Sequence, residues 1–134
     1  MSYDLFLNPS DPAFTWRDFV VYFEGRTNYS TAESQVWYQN EDTGVYFVFE
    51  DNSTTDEQDD EDPAAGFPIL FNMNYFRPSY FAAEAEPELT ATVERFAMTV
   101  FDPQFDGMET DEYDPAMFRS GWNKGNEAGY ASFL

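Results

Sequence analysis

With no histidine and no cysteine among its 134 residues, this chain can do chemistry only with carboxylates, phenols, hydroxyls, amides and a few cations. Imidazole and thiolate zinc sites, a disulfide framework and a histidine general base are excluded at once. The carboxylates suggest two kinds of site. Asp102-Pro103-Gln104-Phe105-Asp106-Gly107, followed by Glu109, Asp111 and Glu112, puts oxygen ligands at positions 1, 3 and 5 and glycine at 6, the pattern of a calcium loop. Position 12 is Tyr113 instead of glutamate and Pro103 interrupts the run, so an Asp-Gly turn after a strand accounts for the same residues. Two acids about 5 Å or about 6.5–9.5 Å apart could hydrolyse a glycoside, but 26 acids supply such pairs by accident. A nucleophile elbow, a phosphate-cradling glycine loop and a dinucleotide fingerprint are all missing. The expectation is a protein that is not an enzyme, with no cofactor and no metal, a carboxylate enzyme or calcium binder being the remaining alternative.

The acids instead suggest binding. Asp51, Asp56, Glu57, Asp59, Asp60, Glu61 and Asp62 crowd one polar stretch. Nothing in it offsets the entropy of ordering, so 51–66 is expected to be a mobile acidic loop, either a solvated linker or a segment that docks on a basic surface. Six Lys and Arg against 26 acids leave a formal charge of −20. Such a field speeds association with cationic partners and repels nucleic acid and anionic membrane surfaces. A basic protein is therefore the expected partner, with no direct nucleic acid and no membrane; charge serving solubility or a salty habitat is the plain alternative. The candidate partner-binding residues are Asp56, Glu57, Asp59, Asp60, Glu61 and Asp62, then Asp111 and Glu112. Trp122 in Gly121-Trp122-Asn123-Lys124-Gly125-Asn126 is a candidate anchor, unless it packs on the core from a helix end. Arg17, Arg26, Arg77, Arg95, Arg119 and Lys124 are expected to find carboxylates, with Arg77 in a partly buried salt bridge rather than on an anion.

These residues need elements to hold them. Fifteen Phe, nine Tyr and three Trp are ample for a core, since each ring buries about 150–250 Å². The stretch 3–7 suits a first strand before the turn at Pro9 and Pro12. Thr15 and Asp18 form a capping pair, Phe14 and Phe19 occupy the staple positions, and Trp16, Phe19, Val20 and Phe23 share one helix face, with Gly25 as the stop. The strands 35–39 and 45–49 flank a five-residue hairpin loop, the second apolar on both faces and so expected inside a sheet. A strand over 69–76 puts Ile69, Phe71, Met73 and Tyr75 on one face. Helical pattern returns over 79–97, with Pro87 expected to open the main helix after a shorter turn. A short strand over 98–101 follows, then a helix from Asp114-Pro115 to about Trp122. The fold class is α+β: one domain over 1–134 with a mainly antiparallel sheet of about five strands, ordered β-α-β-β-β-α-β-α, and helices largely on one side. Without a basic, apolar leader or a run of about 18 apolar residues, the expected location is cytoplasmic.

Four stretches, Met1-Ser2-Tyr3-Asp4-Leu5-Phe6, Asn40-Glu41-Asp42-Thr43-Gly44-Val45-Tyr46-Phe47, Asn74-Tyr75-Phe76-Arg77-Pro78 and 121–126, are together similar to a group of uncharacterised bacterial proteins that open Met-Ser-Tyr-Asp-Leu. That group has the general look of toxin-immunity proteins, which neutralise a toxin made by the same or a neighbouring cell. The resemblance implies a bacterial origin; with the charge of −20, the single domain and the missing catalytic groups, the expectation is an immunity protein that occupies the basic active-site region of its toxin. The resemblance carries over no site residues. A DNA mimic that inhibits a DNA-handling or phage-defence protein is the alternative.

Overall fold

Alternation of apolar and polar residues builds the sheet. The computed structural model of the chain describes residues 2–52, 67–102 and 111–133, with side chains described except at 111–112 and 130–133. Strand β1 (Ser2–Asn8) buries Tyr3, Leu5 and Leu7, and β5 (Ile69–Asn74) buries Ile69, Phe71 and Met73. Their antiparallel register sets Leu5 opposite Phe71. Strand β4 (Tyr46–Asp51) continues the row with Phe49 opposite Phe71, and β3 (Gln35–Gln39) sets Val36 opposite Phe49. With β2 (Tyr29–Thr31), β6 (Thr99–Phe101) and β7 (Asp111–Glu112), the described residues form a sheet of seven strands in the order β2-β3-β4-β5-β1-β6-β7, every pair antiparallel. The class is α+β in one domain, as the sequence implies. β2 and β7 are additions to the expected order, three and two residues long and too short for any periodicity to announce them.

Among the described residues, three helices cover one face. Helix α1 (Trp16–Phe23) starts at Thr15, whose side chain accepts from the Asp18 backbone N–H while the Asp18 carboxylate accepts from that of Thr15. Phe14 meets Phe19 edge-on at 6.3 Å, closing the staple, and Gly25 adopts φ +79° just beyond the helix. Phe19 and Phe23 of α1 pack on Phe49 at 5.1 and 5.5 Å. Helix α3 (Pro115–Phe133) sets Phe118 against Tyr3 at 5.9 Å and Phe71 at 5.7 Å. Phe49, Phe71 and Tyr3 lie on the same side of the sheet, and full burial of each such ring stabilises by about 1.5–3 kcal/mol. The other side, with Asp4, Phe6, Asn72, Glu50 and Trp37, has no described helix across it.

Two helices depart from expectation. Helix α2 (Tyr80–Phe96) is continuous, with Pro87 inside it. Proline removes the hydrogen bond to the carbonyl four residues back, but Pro87 and Ala83 are both exposed, so that carbonyl can turn to water. Packing of Phe81, Ala85, Leu89 and Val93, all buried, holds the two halves together. Helix α3 does not stop near Trp122 but runs to Phe133, because Gly121, Gly125 and Gly129, which weaken a helix locally, are buried where close packing repays them. The Pro87→Ala variant is expected to gain about 1–3 kcal/mol in urea unfolding. A loss would show that the bend made by Pro87 is needed to seat α2.

Candidate functional site

The cluster over 121–126 and the stretch 74–78 meet in space. Trp122 is fully buried, and its indole N–H donates to the Asn74 carbonyl at 3.2 Å. It is a core residue and offers a partner no surface, which corrects its candidacy as an anchor: the helix continues and turns this ring inward. Asn126 is also buried. Its Oδ1 accepts from the backbone N–H groups of Phe76 and Arg77 at 2.6 and 3.3 Å, and its Nδ2 donates to the Arg77 carbonyl at 2.8 Å. The side-chain amide thus pairs a turn in which Phe76 is held at φ +64°, a conformation costly for a phenylalanine. A Cβ on Gly125 would stand 2.2 Å from the Tyr75 hydroxyl, and one on Gly129 would stand 3.0 Å from the Phe76 ring. Glycine four residues apart is the sequence signal for this contact, and it reads only once the helix is known to continue.

Two carboxylates of α2, Glu84 and Glu88, face the sheet and are held by phenols. Glu84 Oε2 accepts from the Tyr38 hydroxyl at 2.8 Å, Asn40 Nδ2 at 3.1 Å and Thr43 Oγ1 at 3.2 Å. One turn on, Glu88 accepts from the Tyr29 hydroxyl at 2.9 Å. At the other end of the sheet the buried Asp102 accepts from the Tyr3 hydroxyl. Asp102 thus has a structural role, while the rest of the candidate calcium loop, up to residue 110, lies outside the described residues. Burial raises the phenols above their ordinary range, with the neighbouring carboxylates adding to it at Tyr3 and Tyr29. Burial pushes Tyr38 and Tyr75 up to about 12, helped by Glu84 and by Asp102 respectively. A neutral phenol satisfies a carboxylate without cancelling its charge.

The cations do not cancel it either. Among the described residues only Arg17 with Glu24, at 3.9 Å, and Arg119 with Glu86, at 3.7 Å, form ion pairs. Arg77 is not in the expected salt bridge: its guanidinium donates to the Phe76 carbonyl at 2.9 Å and the Tyr46 hydroxyl at 2.7 Å. Arg26 lies 3.9 Å from the Tyr22 ring centre, and Arg95 lies 5.7 Å from Tyr22 and 5.0 Å from Phe96. Aromatic faces, abundant in this chain, compete for guanidinium groups that the charge balance would assign to carboxylates.

Of the expected partner-binding residues, Asp56, Glu57, Asp59, Asp60, Glu61 and Asp62 lie outside the described residues. Asp111 and Glu112 form the edge strand β7, in register with Val100 and Thr99. That edge lies at the far side of the sheet from β2. Among the described residues no group of three or more acids is placed to hold a metal ion, and no helix is long and apolar enough to cross a membrane. The site that sequence reasoning missed is a cavity of about 520 Å³ between the 9–14 turn, the outer face of α1 and the end of α2. Its signal was present in Val21 and Tyr22, apolar residues off the core-facing stripe of α1. No family model, curated protein or solved structure matches the chain.

Two outcomes are expected. Gly125→Ala should cost about 1–3 kcal/mol in chemical denaturation, since the methyl must displace Tyr75. The phenols ionise more readily in the unfolded chain, so their contribution is complete below pH of about 10 and is lost as pH rises towards the folded values near 12. Each costs about 1.4 kcal/mol per pH unit across that window. The share of tyrosinate absorbance that Tyr38→Phe removes should therefore belong to the rise that accompanies loss of the circular-dichroism signal. Its removal from a gradual rise at about pH 10 in the folded protein would refute the phenol–carboxylate account.

Proposed function

We propose that this protein is an acidic binding module that inhibits a basic protein, as an immunity protein covering the basic active-site region of a bacterial toxin. The observation that carries this reading is charge left uncancelled. Twenty-six acids face six cations, the described structure pairs only Arg17 and Arg119 with carboxylates, and Glu84, Glu88 and Asp102 each accept from a neutral phenol. A fold arranged this way keeps its negative field at full strength, at the cost of self-repulsion, and a complementary surface relieves that cost on binding. The resemblance to immunity-like bacterial proteins supports the same reading. In the complex, carboxylates steer and register the partner while apolar contacts supply the desolvated anchors.

The tagged protein, used as bait in lysate of its native host at about 0.1 M and about 0.5 M salt, is expected to retain one basic protein that is weakened at the higher salt and inhibited on binding. Replacing Asp56, Glu57, Asp59, Asp60, Glu61 and Asp62 by Asn and Gln should slow its association and flatten the salt dependence. Capture only of DNA-handling proteins, released by added DNA, would replace this reading with a DNA mimic. Retention of no basic protein at either salt would refute it.

A further inference from the structure

The cavity beside α1 combines features that the core does not require. Val21, on its wall, is 52% exposed. Its floor is aromatic: Phe14 and Tyr22 each meet Phe96 edge-on, at 5.4 and 5.3 Å. Asp11 and Asp18 stand at its rim. Asp11 Oδ1 accepts from the Ala13 N–H and Asp18 Oδ2 from the backbone and hydroxyl of Thr15. Each carboxylate therefore keeps one oxygen for an incoming donor. A volume of about 520 Å³ falls in the range of small-ligand pockets, roughly 300–1,000 Å³.

The chain's own cations indicate what these rings take. Two of its six cations, Arg26 and Arg95, lie over Tyr22. Arg95 lines the cavity, is exposed, and meets no carboxylate within 4 Å among the described residues. It lies 5.0 and 5.7 Å from the ring centres, near the outer limit of about 6 Å for a cation–π contact. Such a loosely held side chain is easily displaced.

We infer that this cavity is the anchor site for an arginine side chain of the basic partner, with Arg95 holding its place in the free protein. The inference rests on the proposed function for the source of that arginine. The incoming stem lies along Val21 and Phe14, its guanidinium plane covers the Phe96 face that Arg95 vacates, next to Tyr22, and Asp11 and Asp18 receive its N–H groups. Arginine fits better than lysine because a planar guanidinium can stack and donate at the same time. Arginine is also enriched among residues that dominate interface energies.

N-acetyl-arginine amide is the probe, titrated into the isotope-labelled full chain and followed by amide chemical shifts, with glycinamide as the charge-matched control. The expected result is saturable shifts confined to Val21, Tyr22, Phe96 and their neighbours with the arginine probe only. Arg95→Ala removes the competitor and should bind the probe about 2–5-fold tighter, the equivalent of about 0.5–1 kcal/mol. Asp11→Asn keeps the turn acceptor, removes a charge, and should bind more weakly. Shifts spread over the acidic surface without saturation, and equal for both probes, would overturn the inference. Weaker binding by Arg95→Ala would also overturn it, by making Arg95 part of the receptor rather than a competitor for it. If the probe fails while a basic protein is still captured from lysate, the proposed function survives and the anchor lies elsewhere.

Discussion

The hydroxyls of Tyr29 and Tyr38, donated from the sheet to Glu88 and Glu84 of α2, resolve the central conflict in this molecule. A chain with a formal charge of −20 must bring a carboxylate-bearing helix down on its own sheet with too few cations to neutralise it. A carboxylate taken from water without a partner costs several kcal/mol, whereas a hydrogen bond to a charged group contributes about 1.5–3 kcal/mol. Phenols serve because each ring is apolar enough to belong to the core and ends in one donor. The same arrangement joins Tyr3 of β1 to Asp102 at the end of β6, so both ends of the sheet are fastened in this way.

This solution depends on an unusually aromatic core. Phe19 alone contacts Phe14, Trp16, Phe23, Phe49 and Phe96, tying the entry turn, α1, β4 and the end of α2 into one cluster. Rings that bury this much area stabilise a chain that repels itself. They also take the guanidinium groups of Arg26, Arg77 and Arg95, leaving carboxylates available to solvent. Core composition and surface charge are thus linked: the residues that hold the fold together are the ones that keep its field strong.

Conformational strain is placed with equal economy. Phe76 at φ +64° persists because Asn126 pairs its turn and Gly125 and Gly129 let α3 approach. The stretches 74–78 and 121–126, far apart in the chain, are therefore two halves of one structural lock.

Local chemistry was legible in the sequence. Thr15, Asp18 and Phe14 act within a few residues of one another, so cap, staple and helix start could be read directly. Period-two alternation marked the buried face of β5, and the charge follows from counting. What tertiary structure alone decided concerns groups distant in the chain. Pro87 stays inside a continuous helix because buried neighbours outweigh its missing hydrogen bond. Gly125 and Gly129, poor helix residues in isolation, extend α3 because the turn at Tyr75 and Phe76 comes within contact distance. Strand order, the turning inward of Trp122 and the drawing of Arg95 onto Tyr22 and Phe96 rather than onto an acid follow from the same cause. Propensity and spacing describe neighbours in sequence, and these contacts are made by neighbours in space.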